Sequence, residues 1–259
     1  MLLDKNILLV DARNIIDRIW YASKNEESTI NLFLSKIDKS IKEYCIDYVL
    51  IAFDGKNTVR HKFFDEYKSK REIDEDKEKV VEKIYNIVKN KYCTIKNDNY
   101  EADDIIASIV TKMKFENDSL IFILSSDKDL RALVDETVFT VDIFKNTIYN
   151  INEVKKSMGV FPYEVTDLLS LMGDQSDGIP GAKGIGKITA TTLINQYSSL
   201  KNIFDNIDSE DMKESIRKKL KNEIDNIKMS YKLVKLIDKI FENYSNEELK
   251  SMMKIKNKG

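Results

Sequence analysis

Three short apolar runs, each delivering an aspartate, constrain this sequence more than any other feature. Residues 7–10 (ILLV) run into Asp11, and residues 48–53 (YVLIAF) run into Asp54. Residues 120–124 (LIFIL) pass through Ser125 and Ser126 to Asp127 and Asp129. Runs this short and unbroken read as buried parallel strands, because a half-exposed strand would alternate with polar residues. The stretches between them carry apolar residues at helical spacing, among them Ile15, Ile16, Ile19 and Trp20, then Ile30, Phe33, Leu34, Ile37 and Ile41. Strand–helix–strand order predicts an α/β fold with a mostly parallel sheet and helices on both faces. Ligands of such sheets collect beyond the carboxyl ends of the strands, where three acids would share a crevice suited to a cation. Taken alone, Asp127 would more simply cap a helix starting at Lys128. Three coinciding strand-end acids favour a shared site.

A fourth acidic group lies at NDNYEADD. Asn99 is placed to cap a helix whose first turn holds Glu101, Asp103 and Asp104, ahead of Ile105, Ile106 and Ile109. One or two acids there answer the helix dipole, whereas three in four positions repel one another unless a cation neutralises them. Residues 138–141 and 147–151 read as further strands, and residues 152–158 and 163–172 as helices. Five of the chain's eight glycines then concentrate in GDQSDGIPGAKGIGK, followed by a helix from about Lys187. Glycines let backbone N–H groups approach a phosphate chain closely without reading bases. The Walker ending is missing, since Ile188 follows Gly186-Lys187. Asp174 and Asp177, just ahead, suit either turn residues or further metal acids.

Residues 55–79 interleave Arg60, His61, Lys62, Lys68, Lys70 and Arg71 with Phe63, Phe64 and Tyr67. Cations beside aromatic rings suit a single nucleic-acid strand, and an ordinary exposed helix is the plainer alternative. His61 is the sole histidine, which removes histidine metal sites and catalytic triads. The net charge of −2 argues against a polyanionic partner, but the charge is uneven: residues 211–259 hold 13 Lys+Arg against 8 Asp+Glu. No apolar run approaches the roughly 20 residues of a membrane span, and the N-terminus lacks a cleavable signal, so a cytoplasmic, membrane-free protein is expected. Cys45 and Cys93 lack metal-ligand spacing and are expected to be buried thiols.

Taken together, Asp11, FDG at Asp54, YKSKR, EADD, SSDKDL and GDQSDGIPGAKGIG resemble the ordered motifs of the bacterial and phage 5′ nuclease family, which includes flap endonucleases and the 5′ nuclease domain of DNA polymerase I. The likeness runs from the first strand to about Tyr197. It implies a PIN-like α/β core with a helical arch near residues 55–80, occupying residues 1–160, and a helix-three-turn-helix DNA-binding region with C-terminal helices over residues 161–259. It implies a divalent-metal 5′-3′ exonuclease or 5′-flap endonuclease using two Mg²⁺ or Mn²⁺ ions. Its metal acids would be Asp11, Asp54, Glu101, Asp103, Asp104, Asp127, Asp129, Asp174 and Asp177, several of them acting through water. Lys68 and Arg71 match the cations on the scissile phosphate, and Arg60 matches another cation at the arch base. Gly181, Lys183, Gly184, Gly186 and Lys187 match the duplex clamp, where the family often holds K⁺.

The implied substrate is DNA with 5′ ends or flaps, with an RNA primer in duplex as a further candidate, acted on by a monomer. The chain has no room for a polymerase domain, so a stand-alone nuclease or a fragment is expected. Four departures stand out: Ala12 in place of glycine, a short stretch after Tyr21, the acidic run of residues 72–78, and Gly178 with GIGKITA in place of asparagine with GIGPKTA. A non-catalytic DNA-binding paralogue and a PIN-type ribonuclease are the alternative readings.

Overall fold

The computed structural model describes residues 5–114 and 119–255. Its first compact unit comprises residues of 1–59, 73–150 and 236–259, and its second those of 60–72 and 151–235.

The first unit is built on six strands: β1 (Asn6–Asp11), β2 (Ile46–Phe53), β3 (Cys93–Lys96), β4 (Ile121–Leu124), β5 (Val138–Asp142) and β6 (Thr147–Tyr149). They lie in the order β3-β2-β1-β4-β5-β6, all parallel except β6. The three strands that end in acids are therefore adjacent at the middle of the sheet. Helices α1 (Ala12–Ser23), α2 (Glu26–Glu43), α4 (Glu75–Val88) and α5 (Ala102–Met113) follow in the connections, while α3 (Val59–Phe63) lies, all but its first residue, in the second unit.

Alternation along the strands divides the core into two layers. Leu8, Val10, Val49, Ile51 and Leu124 pack with α1, α2 and α4, whereas Ile7, Leu9, Leu50, Ile121 and Ile123 pack with α5. The second layer also takes Phe241, Leu249 and Met253 from the end of the chain. Both faces are covered, which is why the strands read as unbroken apolar runs.

In the second unit, α6 (Ile151–Met158), α7 (Val165–Met172), α8 (Lys187–Tyr197), α9 (Leu200–Asp205), α10 (Glu214–Asn222) and α11 (Ile224–Val234) form a helical assembly. Its core includes Leu168, Leu171, Leu193, Ile194, Leu220 and Ile227. The last helix, α12 (Asn246–Met253), returns to the first unit. Among the described residues, no helix is long and apolar enough to cross a membrane.

Several local expectations need correction. Asp127 caps no helix at Lys128; its carboxylate accepts from Asp129 N–H at 2.9 Å, and a 3₁₀ turn runs over Asp129–Leu133. The cap of α5 is Glu101, not Asn99, because Glu101 and Asp104 satisfy each other's backbone N–H groups in a capping box. Strand β3 was not expected, since it is four residues long, half-buried throughout and at the sheet edge. Neither cysteine is buried: Cys45 is exposed at the turn into β2, and Cys93 is half-buried in β3.

Candidate active site

Asp11, Asp54 and Asp127 follow from the topology, standing at or just beyond the carboxyl ends of adjacent strands β1, β2 and β4. Asp11 also caps α1, accepting from Asn14 N–H at 3.1 Å, and Ser125 Oγ donates to it at 2.8 Å. Burial first, then the charges of Asp54 and Asp127, push the Asp11 carboxyl up to about 7, against the lowering effect of its Asn14 and Ser125 hydrogen bonds. Asp54 accepts from Ala102 N–H at 2.8 Å, which brings the first turn of α5, with Glu101 and Asp103, to the same end of the sheet. Asp129 begins the 3₁₀ turn and is half-buried, as is Asp127.

Among the described residues, no three acidic, histidine or cysteine side chains converge into a ready-made metal-ligand set. Asp11, Asp54 and Asp127 accept instead from N–H and O–H donors around them. The donor chemistry nevertheless fits a hard dication. The acids are oxygen ligands, the charges of Asp54 and Asp127 raise the Asp11 carboxyl, and Asp11 carries no ion pair within this set.

Asp104 behaves differently from its neighbours. It is fully buried, one oxygen accepts from Glu101 N–H at 3.3 Å, and the other accepts from Ile237 N–H at 2.9 Å. Ser108, one turn later, donates to Ile237 O and accepts from Ile240 N–H. Asp104 is thus occupied in capping α5 and anchoring the returning chain, which departs from the ligand role expected of it. Sequence reasoning missed Asn14, whose side-chain oxygen accepts from both Ser126 N–H and Ser126 Oγ, at 2.9 and 2.8 Å. Its position three residues after Asp11, on the first turn of α1, was the available signal.

The second unit holds the expected cations. Arg71 donates through Nη2 and Nε to Asp177 Oδ1 at 2.6 and 3.2 Å, and Lys68 N–H donates to Asp177 O at 2.8 Å. Asp174 closes its own turn, accepting from Ser176 N–H and Oγ. Arg60, matched to a cation at the arch base and expected to bind DNA, is turned inward. It is 3% exposed, and its guanidinium donates to Leu233 O and Lys235 O at the end of α11. Tyr67 is also buried, with His61 edge-on to its ring at 5.3 Å, so it has no open face for a base.

In the glycine loop, Ala182 and Ile185 point into the core, while Lys183, Gly184, Gly186 and Lys187 are exposed. Gly181 N–H donates to Ser230 Oγ of α11 at 2.8 Å, an anchor invisible in the sequence. Lys187 Nζ donates to Ser157 O at 3.1 Å. Gly186 has an ordinary extended backbone, and a Cβ there would meet nothing within 4 Å. The fold therefore makes no demand for glycine at Gly186.

Residues 6–159 match the model of the 5'-3' exonuclease N-terminal resolvase-like domain, and residues 160–257 that of the 5'-3' exonuclease C-terminal SAM fold. The chain belongs to the 5′-3′ exonuclease family. It is 35% identical to a 5'-3' exonuclease of Mycoplasmopsis pulmonis, over 79% of this chain and 71% of the relative. It is 30% identical to flap endonuclease Xni of Shewanella denitrificans, over 89% and 92%. In fold it is similar to a bacteriophage T5 flap endonuclease solved as a pseudo-enzyme-product complex with DNA and metal ions. The TM-score is 0.79, with 20% identity over 96% of this chain and 97% of that one.

Within this family the chain's departures have local causes. Ala12 opens α1 fully buried, so its methyl is core packing. Gly178 has φ +72°, and a Cβ there would stand 2.3 Å from Glu66 O, so the segment carrying Lys68 and Arg71 excludes any side chain. The acidic run is partly spent on α1: Asp74 accepts from Trp20 Nε1 at 2.8 Å, and Glu78 pairs with Arg13 at 2.7 Å. The short stretch after Tyr21 is a tight link in which Lys24, in the left-handed conformation, ends α1 and Asn25 caps α2.

Proposed function

We propose that this chain hydrolyses phosphodiester bonds in DNA near a 5′ end or at a 5′ flap, as a divalent-metal-dependent nuclease. The observation that carries the reading is the meeting of Asp11, Asp54 and Asp127 at three adjacent strand ends, with the Asp11 carboxyl raised to about 7 by burial and by the other two charges. Such a cluster is costly unless a cation completes it.

Asp11, Asp54, Glu101, Asp103, Asp127 and Asp129 would hold two Mg²⁺ or Mn²⁺ ions. Bound there, such ions supply an activated water, an oriented phosphodiester and charge neutralisation at the leaving oxygen. The protein's own groups set the geometry: Ser125 and Asn14 fix Asp11 and the 125–126 turn, and Ala102 N–H fixes Asp54. Arg71 and Lys68 are the proposed phosphate cations, with Asp177 holding Arg71 in the meantime. For Asp174 and Asp177 to serve as ligands, each must exchange its present Ser176 or Arg71 partner for a cation.

The test is cleavage of an end-labelled 5′-flap duplex with Mg²⁺, with EDTA, and by Asp127→Asn, beside a matched substrate whose 5′ strand is RNA. Junction cleavage lost in both controls supports the reading. Tight binding with no metal-dependent cutting would establish a binding protein instead, and cleavage confined to RNA would move the substrate class.

A further inference from the structure

In the second unit, residues 155–159 are tied along α8. Lys187 Nζ donates to Ser157 O at 3.1 Å, Asn195 Nδ2 donates to Gly159 O at 3.1 Å, and Lys155 Nζ donates to Asn195 Oδ1 at 2.6 Å. Gly159 has φ +83°, and a Cβ there would stand 2.7 Å from Thr191 Cγ2, so this backbone lies directly against the helix. Two residues beyond that contact begins a pair of aromatic rings.

Phe161 and Tyr163 are stacked, with centroids 5.7 Å apart and planes at 9°. Lys155 Nζ lies over the Phe161 ring at 4.4 Å. The backbone beneath is fixed: Phe161 N–H donates to Glu164 Oε2 at 2.7 Å, Glu164 N–H donates to Phe161 O at 2.9 Å, and the ring of Pro162 locks its own φ. Phe161 is half-buried, whereas Tyr163 is 74% exposed, and among the described residues its ring meets no other ring and no cation. A single exposed aromatic needs no explanation. A ring braced on a second ring, which a lysine and a buried carboxylate hold in turn, is a prepared surface left open to solvent.

The chemistry of that surface selects its occupant. A flat aromatic face takes another π-system, and cations around it favour one attached to phosphates. Lys155, Lys156 and Lys187 supply the positive charge. The acids of residues 151–167 are engaged: Glu164 on the Phe161 N–H, Asp167 on the Leu200 N–H at 2.8 Å, and Glu153 opposite Lys156 at 3.6 Å. A base within a duplex is already stacked on both faces, so the occupant is one that is not.

We infer that Phe161 and Tyr163 form a stacking site for one unpaired nucleobase, with Tyr163 presenting the ring that the base covers. The inference rests on the proposed nuclease function, to which it adds a contact with bases beside those with phosphates. Being indifferent to base identity, such a contact senses where a duplex stops and a single strand starts.

The test uses the full chain in EDTA, which prevents cutting, and three duplexes: blunt, with a 5′ single-stranded arm, and with a 3′ arm. Each arm carries 2-aminopurine next to the duplex, whose fluorescence is quenched on stacking, and affinity is read by anisotropy of a dye at the far end. Wild type and Tyr163→Phe quench the 2-aminopurine of at least one arm. Tyr163→Ala does not, and it binds that armed duplex about tenfold more weakly, the size expected for one base on an aromatic ring. It binds the blunt duplex as wild type does, and an unchanged melting temperature shows that the loss is not one of folding.

Absence of quenching by wild type on both arms would overturn the inference, as would Tyr163→Ala binding armed duplexes like wild type. Equal weakening on blunt and armed duplexes would overturn it too, by reducing Tyr163 to a structural part of the clamp. Each of these results leaves the nuclease reading intact, whereas failure of wild type to bind any of the three duplexes would overturn both.

Discussion

The aspartates at the strand ends of the first unit and those in the turn of the second are the same residue type in opposite electrostatic states. Asp11 is buried, faces the charges of Asp54 and Asp127, and is pushed up to about 7. Asp177 has Arg71 at 2.6 Å, and Asp174 holds its own turn through Ser176. Asp11, held by its strand, is buried against two like charges, whereas the acids in the turn are satisfied by local partners. Function concentrates where the scaffold prevents relaxation.

The strongest attempt to break this contrast is Asp11→Asn. Cleavage should fall by about 10³-fold or more, as expected when a metal centre loses a ligand, while metal-free thermal stability stays level or rises because a repulsion has gone. A variant with turnover within tenfold of wild type would end the metal-cluster reading. Next in size is the ion itself: Mg²⁺ at a hundredfold excess over its Kd should stabilise wild type by about 2.7 kcal/mol. Calorimetry should show that shift sharply reduced in Asp11→Asn.

Asp104→Ala sharpens the comparison inside the acid group. Without the capping box and the hydrogen bond from Ile237 N–H, unfolding free energy should drop by about 2 kcal/mol, while cleavage per folded molecule stays within a few-fold. Loss of activity in a fully folded variant would return Asp104 to the ligands. Arg71→Ala should cost at most about 1 kcal/mol of stability, because the Asp177 pair is exposed. Its cleavage should still fall by about tenfold through lost phosphate neutralisation; an unchanged rate would show that Arg71 only ties down its own segment.

The smallest effect belongs to a paired acid outside the site. The Lys77 N–H bond, then those from Trp20 and Lys24, hold Asp74 at about 2, below its ordinary 3.8. A carboxylate lowered on folding stabilises the native state above its unfolded pKa, and that contribution fades as pH falls from about 4 toward 2. Asp74→Asn should flatten this part of the acid-unfolding curve, and identical curves would show that the cap carries no charge effect.

The central strands and their acids were legible because burial on both faces leaves an unmistakable apolar run, and Asp11, Asp54 and Asp127 sit directly at the ends of such runs. The loop glycines were legible for a similar reason, since backbone approach leaves few other residue choices. Partners were not. Asp104 and Asp103 are indistinguishable in EADD, and only the returning chain at Ile237 marks Asp104 as the one that anchors it. Arg60 looked like its neighbours until α11 supplied two carbonyls for it. Short edge strand β3 and the Ser230 anchor depend equally on residues far apart in sequence.

The way Phe241, Leu249 and Met253 complete the second layer of the first unit has a bearing on biosynthesis. The two family models divide at residues 159 and 160, but a polypeptide stopped there would lack these side chains and the backbone partners of Asp104 and Ser108. On the ribosome, the sheet must therefore wait with one face partly uncovered while the second unit emerges. Helix α12 then closes it, which makes residues translated after the second unit a condition for finishing the first unit's core.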